Sequence, residues 1–222
     1  MKIIDHTHPL YKQRRSKQGY GKYNGAYYYS KDIVKYIIPN IKTDRTWVTV
    51  RIEEAPENLD HSIVFIHNNR NPNLYEYLRK FKDVICVCST PKTLENMVFY
   101  GTPIFLPLSV NVQSVAKYKL KDHDKEMAFA GRRLKINNYV PKQADILTDM
   151  PQTELIKAMA HYKDIYAVGR TAIQAKILGC NIKPYDNMYP DTNFWKIVDC
   201  SEAVQMLQNE LDKIDGEPNG NL

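Results

Sequence analysis

The stretch DIYAVGRTAIQAKILGCNIKPYD, residues 164–186, decides the fold. A short apolar run, 165–168, predicts a strand, and Gly169 breaks that run. Thr171 is in position to cap a helix, and Gly179 is in position to end it as a left-handed C-terminal glycine does. The helix carries its apolar residues on one side: Ala172, Ile173, Ala175, Ile177 and Leu178. A second predicted strand completes a strand–helix–strand unit.

The junction between this first strand and the helix is a candidate anion site. A helix that begins directly after a strand gathers backbone N–H groups and the positive end of its dipole at one point. Arg170, beside that point, adds a bidentate donor for phosphate. The plainer interpretation is one more unit of a parallel sheet, in which Gly169 serves only the turn. The sequence leaves both interpretations open.

Apolar strands alternate with short helices along most of the chain. We predict strands at residues 2–4, 47–52, 62–67, 83–88, 103–106, 126–130, 165–168 and 180–184. We predict helices at residues 26–38, 71–80, 89–100, 153–161, 171–178 and 201–214. Strands without polar alternation, each followed by a helix, are typical of parallel sheets. The predicted fold class is therefore α/β, with two Rossmann-like parallel-sheet domains and ligand bound at the carboxyl ends of the strands.

An irregular, charged segment, 107–124, separates the two series of strands. We therefore predict an N-terminal α/β domain over residues 1–120 and a C-terminal α/β domain over residues 121–215. Residues 216–222 read as a disordered tail.

The composition limits the classes of partner. The chain has 222 residues and a formal net charge of +6, which favours anionic partners such as nucleotides, nucleic acid or phosphorylated sugars. The four cysteines lack zinc-site spacing, so we expect reduced, structural thiols in a cytoplasmic protein. We further expect Cys86 and Cys88, which share a predicted strand, to face opposite sides of it. No apolar run approaches the length of a membrane span, so we expect no membrane-spanning segment.

Three segments resemble, in register, pieces of GT-B-type glycosyltransferases. MAFAGRR, Met127 to Arg133, is similar to the strand and Gly–Arg turn that open the family's nucleotide-binding domain. Residues 150–186 are similar to its donor-site unit, in which a helix begins under the nucleotide. Residues 83–112 are similar to the last unit of its acceptor domain and the segment that crosses to the donor domain. The chain is also similar to small glycosyltransferase-like proteins of bacteriophages.

The resemblance implies a metal-independent, cofactor-free, GT-B-like transferase with an abbreviated N-terminal, acceptor-side domain. It would move a sugar from a nucleotide-sugar donor, such as a UDP-sugar, to a glycan or a phage-modified DNA base in the host cytoplasm. The implied donor-site residues are Arg132, Gly169, Arg170, Thr171, Ala172 and Gln174. Arg132 and Arg170 would neutralise the diphosphate. Thr171 would contribute its hydroxyl and N–H, and Gln174 would hold the ribose.

The sequence departs from the family at two positions. Many retaining members have two glutamates eight positions apart, which here are Tyr166 and Gln174. An amide still bonds a ribose hydroxyl, without the strength of a charged partner, whereas tyrosine cannot replace a carboxylate. Two functions therefore stay open: a divergent enzyme, or a non-catalytic protein that binds a nucleotide, such as a phage protein that sequesters a host signalling nucleotide.

The long polar loop after the first strand supplies the candidate catalytic residues. Asp5, His6 and His8 follow that strand, where GT-B-like folds place acceptor-side residues, and we assign them to the acceptor hydroxyl. Their spacing also resembles the opening of metal-dependent hydrolases, but the other histidines form no partner motif, so we expect no metal. A polar loop with capping roles is the alternative.

Two further pairs are candidate acceptor or crevice contacts. Tyr20 and Tyr23 lie in a basic loop, and basic residues interleaved with aromatic ones bind nucleic acid. A solvated loop is the alternative interpretation there. His67 and Asn68 follow a predicted strand at its carboxyl end, where open parallel sheets hold ligands.

Overall fold

The computed structural model describes residues 2–4, 25–49, 57–66, 76–97 and 100–216. Over these residues the chain is an α/β protein with one parallel sheet of five strands and another of four. The chain divides into two compact units. Unit 1 holds the described residues up to Pro107, apart from 25–29, together with those from Cys200 onward; unit 2 holds 25–29 and 108–199.

The predicted strands and helices occur in the predicted order with shifted ends, except that the described end of the predicted helix 71–80 is a 3-10 turn. A strand at 145–147 and a helix at 112–116 are additional to the prediction. The strands are β1 (Ile3–Ile4), β2 (Thr46–Val48), β3 (Ser62–Ile66), β4 (Val84–Cys88), β5 (Thr102–Phe105), β6 (Lys125–Ala130), β7 (Asp145–Leu147), β8 (Tyr162–Tyr166) and β9 (Asn181–Lys183). The α-helices of the described ranges are α1 (Gly25–Asp32), α2 (Pro91–Met97), α3 (Val112–Ala116), α4 (Gln152–Met159), α5 (Arg170–Ile177) and α6 (Cys200–Gly216). A π-helical turn, Ile33–Ile37, and a 3-10 turn, Ile38–Asn40, continue α1, and further 3-10 turns lie at Glu76–Lys80, Arg133–Lys135 and Thr192–Phe194.

The sheet of unit 1 has its five parallel strands in chain order, β1 to β5. Every residue of β3 and β4 is buried, as two continuous apolar runs predict for central parallel strands. On one face Val64 packs in a cluster with Leu78 and Met97. On the other face Trp47 stacks on Phe65, with ring centroids 6.1 Å apart. The core of this unit therefore covers both faces of the sheet.

All four cysteines are buried free thiols, as predicted. The expectation that Cys86 and Cys88 face opposite sides of β4 is wrong. Residues two apart in a strand share a face, and both thiols pack into the same apolar cluster. Burial raises the pKa of Cys86 to about 12, so this thiol stays protonated and unreactive.

The sheet of unit 2 has the order β7-β6-β8-β9, and all pairs are parallel. Helices α4 and α5 pack on the face that carries Ala128 and Ile165. The segment between β6 and β7 covers the other face, where Val140 and Ala144 pack against Phe129. The central strands β6 and β8 are thus enclosed between a helical layer and an irregular layer.

Helix α5 starts and ends with a glycine in a special conformation. Gly169 is its N-cap, with φ 65° and ψ −143°, a backbone conformation that essentially only glycine adopts. Thr171 is not the cap that we expected, because it lies inside the first turn and no side chain caps this end. Gly179 ends the helix at φ 91°, as predicted. The Cys180 N–H then donates to the Ala175 carbonyl at 3.0 Å, which completes a Schellman motif.

The two units divide the chain differently from the predicted domains. The division falls between Pro107 and Leu108 rather than at residue 120. Helix α6, which we assigned to the second domain, belongs to unit 1, and Arg45 Nη2 donates to Asp215 Oδ1 near its end at 2.9 Å. Of the predicted tail, 216–222, Gly216 belongs to α6, and residues 217–222 lie outside the described residues.

Candidate functional site

The topology of unit 2 defines a candidate site at the carboxyl ends of β6 and β8. After β6 the chain passes to the face where Val140 packs against Phe129. After β8 it passes to the opposite face, where Ile173 packs in the cluster that holds Ala128. Parallel sheets bind ligands where the chain leaves adjacent strands in opposite directions, and the strand order 2-1-3-4 places that switch point between the first and third strands. In this unit those strands are β6 and β8.

One wall of the switch point is the turn at Gly131 and Arg132. A Cβ atom on Gly131 would lie 2.9 Å from Cζ of Phe129, closer than real side chains approach. The Phe129 ring is fully buried, and its centroid lies 5.2 Å from that of the Tyr185 ring, which it meets edge-on. This packing keeps the Phe129 ring from moving away. The close approach therefore requires glycine at 131. Arg132 follows it and is exposed.

The other wall is the turn that leads into α5. A Cβ atom on Gly169 would meet Leu108 Cδ1 at 3.8 Å, an ordinary contact, so glycine is required by the backbone angle and not by space. Gly169, Arg170 and Thr171 are half-buried, and the turn reaches the surface. The Ile173 N–H bonds back to the Gly169 carbonyl at 3.2 Å, and the first N–H groups of a helix have no partner within the helix itself.

Two predicted donor-site residues lie beneath this turn. Ala172 is fully buried, backbone included, so its N–H can contact a ligand only if the turn opens. Gln174 is 2% exposed, and its Nε2 has no hydrogen-bond partner in the part of the chain that the structure describes. Ser109, the neighbour of Leu108, is also buried, with an Oγ that lacks a partner over the same residues. Buried polar groups without partners are rare, so these two side chains leave unused hydrogen-bonding capacity in unit 2.

Positively charged side chains lie in and near both turns at this end of the sheet. Arg132 and Arg170 lie one in each turn, directly after the two required glycines. The nearby lysine Lys135 is paired, with its Nζ 3.6 Å from Oδ2 of Asp186. Tyr166 and Gln174 stand at the two positions where the resemblance implies glutamates, and neither supplies a carboxylate.

The remaining predicted site residues lie outside the described residues. They are Asp5, His6, His8, Tyr20, Tyr23, His67 and Asn68. Among the residues that are described, no three His, Cys, Asp or Glu side chains are grouped so as to hold a metal ion. Nor does any described helix combine the length and the apolar character needed to cross a membrane.

An open cavity of about 410 Å³ lies at the opposite, amino-terminal end of β6 and β8. The Tyr162 hydroxyl there donates to Asp145 Oδ2 at 2.7 Å and accepts from Lys125 Nζ at 3.2 Å. Burial, then the hydrogen bond to Asp145, raises the pKa of Tyr162, so its hydroxyl stays protonated. These polar groups satisfy one another, which is typical of a structural contact.

A charged network in unit 1 escaped sequence prediction. At the amino-terminal ends of its strands, Asp83 contacts both Arg45 and His61, and His61 also contacts Asp44. Arg45 and Asp215 lie 170 positions apart, so no local sequence motif could predict their contact. Burial acts to raise the pKa of Asp83, but the hydrogen bonds from His61 and Arg45 outweigh it and hold that pKa below its usual value.

We compared the chain with models of known protein families, with curated proteins and with solved structures, and none of the three gave a match. The α/β fold with two parallel sheets is established by the structure itself. The expected membership of the GT-B-type glycosyltransferases stays a prediction that rests on the residues 83–112, 127–133 and 150–186.

Proposed function

We propose that unit 2 binds the diphosphate of a nucleotide at the β6–β8 switch point, and that the chain is a glycosyltransferase that uses a nucleotide-sugar donor. One observation carries the proposal. Two turns whose glycines the geometry requires, Gly131 and Gly169, follow adjacent parallel strands, lead to opposite faces of the sheet, and are each followed by an arginine. That combination suits a ligand with two adjacent phosphates.

Each residue of the two turns has a role in this proposal. Arg132 and Arg170 neutralise the diphosphate, while Thr171 offers its N–H and hydroxyl and Ala172 its N–H. When the sugar leaves, negative charge grows on the diphosphate, and donors already in place stabilise that charge without a metal ion. The donor is a nucleotide-sugar such as a UDP-sugar.

Gln174 is the proposed contact for the ribose. Its Nε2 has no partner over the described residues, so a ribose hydroxyl would satisfy a group that is otherwise unpaired. Because the residue is 2% exposed, neighbouring side chains must open when the nucleotide enters. On the acceptor side, Asp5, His6 or His8 would take the proton of the acceptor hydroxyl. The acceptor would be a glycan or a phage-modified DNA base. Free thiols at all four cysteines agree with a cytoplasmic site of action.

A second function shares the same crevice. Tyr166 and Gln174 stand at the positions of the family's glutamates, and this favours a protein that holds a nucleotide without transferring a sugar. A phage protein that sequesters a host signalling nucleotide would need the diphosphate site and no catalytic carboxylate.

Calorimetric titration of the full chain with a panel of nucleoside diphosphates and nucleotide-sugars tests the shared part of both functions. A donor-hydrolysis assay with the ligands that bind then separates the two. Turnover supports the transferase, whereas tight binding with the ligand recovered intact supports the binding protein. Absence of binding across the panel contradicts both. Lys163→Ala, which removes an exposed positive charge away from the two turns, is the matched control for variants at Arg132 and Arg170.

A further inference from the structure

His61 is held between two carboxylates at the amino-terminal ends of the strands of unit 1. Its Nδ1 lies 2.7 Å from Oδ2 of Asp83, and its Nε2 lies 2.8 Å from Oδ1 of Asp44. An ionised carboxylate only accepts hydrogen bonds, and a neutral imidazole carries a single N–H. Both contacts are therefore hydrogen bonds only when the ring carries two protons, as an imidazolium.

The backbone of His61 lies in a turn that is tied to the neighbouring strand. Its φ is 55°, in the left-handed region that few residues other than glycine adopt and that Asn, Asp and His adopt more often than the rest. The His61 carbonyl accepts from the Thr46 N–H at 3.0 Å, so this turn is tied to the start of β2. The backbone bond to Thr46 and the two ring contacts together fix the position of this turn.

The two carboxylates differ in their other hydrogen-bond partners and in their exposure to solvent. Asp83 also accepts from Arg45 Nη1 at 2.5 Å, and Arg45 is 7% exposed and further bonded to Asp215 of α6. Asp44 is 87% exposed, so water solvates it readily once its contact with the ring is lost. Loss of one proton from the ring therefore separates Asp44 before it separates Asp83.

We propose that His61 is a proton-controlled latch: as an imidazolium it joins Asp44 to Asp83, and loss of the ring proton releases Asp44 while Asp83 stays on Arg45. The charged groups that face the ring are Asp44 and Arg45 ahead of β2 and Asp83 ahead of β4. Asp215 reaches the network only through Arg45.

The direction of the pH effect follows from these contacts. The hydrogen bond to Asp83, and then that to Asp44, raises the pKa of His61 above its ordinary value of about 6.5. A raised folded-state pKa means that the latch is closed below about pH 6.5 and opens as the pH rises through the raised value. The latch thus opens above the ordinary pKa of histidine and closes below it.

NMR titration of the full chain between about pH 5 and pH 9 tests the latch, since this window brackets the free histidine pKa of about 6.5. His61→Asn is the control, because asparagine tolerates the left-handed backbone and does not titrate. We expect a His61 ring midpoint above about 6.5, and amide signals of Asp44 that follow the same midpoint in the wild type only. A ring midpoint at or below the free value, or an Asp44 amide that ignores it, overturns the proposal.

Asp44→Asn provides a second variant that leaves the fold intact, since Asp44 is exposed. We expect it to move the His61 midpoint downward, because the ring then faces one carboxylate fewer. The urea midpoint of the wild type should also fall relative to that of His61→Asn as the pH rises from about 6 to about 9, on either side of the free histidine value. An equal difference at both pH values would show that the ring has only a structural role.

Discussion

Phe129 of β6 pairs with Tyr166 of β8, and beyond this pair the chain leaves the two strands toward opposite faces of the sheet. The pairing is parallel, so the turns at Gly131 and Gly169 lie at the same end of the sheet. This relationship brings two segments 38 residues apart in the sequence to one switch point. The proposed diphosphate site depends on it.

Replacement of Gly169 with alanine should destabilise unit 2. The angles φ 65° and ψ −143° strain any side chain, at a cost of about 1–3 kcal/mol. Urea unfolding followed through Trp195, in a chain whose other tryptophan Trp47 is replaced by phenylalanine, measures the effect in this unit. Gly216→Ala is the control, since nothing lies within 4 Å of a Cβ there and no positive φ is involved. Equal stability of the two alanine variants would contradict the assignment of strain.

Replacement of Gly131 with alanine should destabilise the same unit for a different reason. The new Cβ would meet the buried Phe129 ring at 2.9 Å, and such overpacking costs about 1–3 kcal/mol. Phe129→Leu removes the ring, so the double variant should lose less stability than the sum of the two single variants. Strict additivity in this cycle would mean that the ring is not what requires the glycine.

Arg170→Ala should weaken the binding of a nucleoside diphosphate by about 1.5–3 kcal/mol, the range for a hydrogen bond to a charged group. Calorimetry measures the affinity, and Lys163→Ala, which loses the same charge at an exposed position away from the turn, should bind nearly as the wild type does. An affinity that is unchanged by Arg170→Ala counts against the phosphate site.

Gln174→Met separates stability from binding. The buried Nε2 is unsatisfied over the described residues, so an apolar side chain of similar shape should leave the free energy of unfolding unchanged or raise it by about 1 kcal/mol. If the ribose contacts this amide, the affinity for a nucleotide should fall in the same variant. A variant that binds as tightly as the wild type would remove Gln174 from the site.

Unit 1 should lose stability in acid through Asp83 and Asp44. Hydrogen bonds hold the pKa of each carboxyl below its usual value, with His61 as the largest lowering contact in both cases. A lowered folded-state pKa means that the contribution is complete above about pH 4 and is lost as the pH falls through the folded value. Unfolding followed through Trp47 should show this loss, and Asp83→Asn should flatten the acid limb of the curve. A parallel acid limb in the variant would show that the carboxyl does not contribute.

The sequence predicts those parts of the fold that have a strong local pattern. Burial of whole strands produces the apolar runs of β3 and β4. A left-handed residue at the end of a helix is usually glycine, and this is the pattern at the end of α5. Strand β7 has no such local pattern, since Asp145–Leu147 is three residues long and gains its conformation from pairing with β6. The residue type of Thr171 predicts a cap, whereas the backbone angle at the start of α5 requires glycine and makes Gly169 the N-cap.

The candidate site was predictable in its residues and not in its geometry. Gly131, Arg132, Gly169 and Arg170 stand out in the sequence as glycine–arginine turns after strands. That the two turns lead to opposite faces depends on the strand order, which tertiary pairing sets. The burial of Gln174 and the link from Arg45 to Asp215 also arise only when distant segments pack together.

Titration of the ¹⁵N-labelled chain with UDP, followed through its amide signals, tests the diphosphate site most directly. We expect the largest shifts at Gly131, Arg132 and the residues from Gly169 to Ala172, with little change at Lys125 and Met127 at the opposite end of the strands. No shifts up to about 1 mM UDP, where binding would be weaker than about −4 kcal/mol, would contradict the site. Shifts centred on the Lys125 end would contradict it equally.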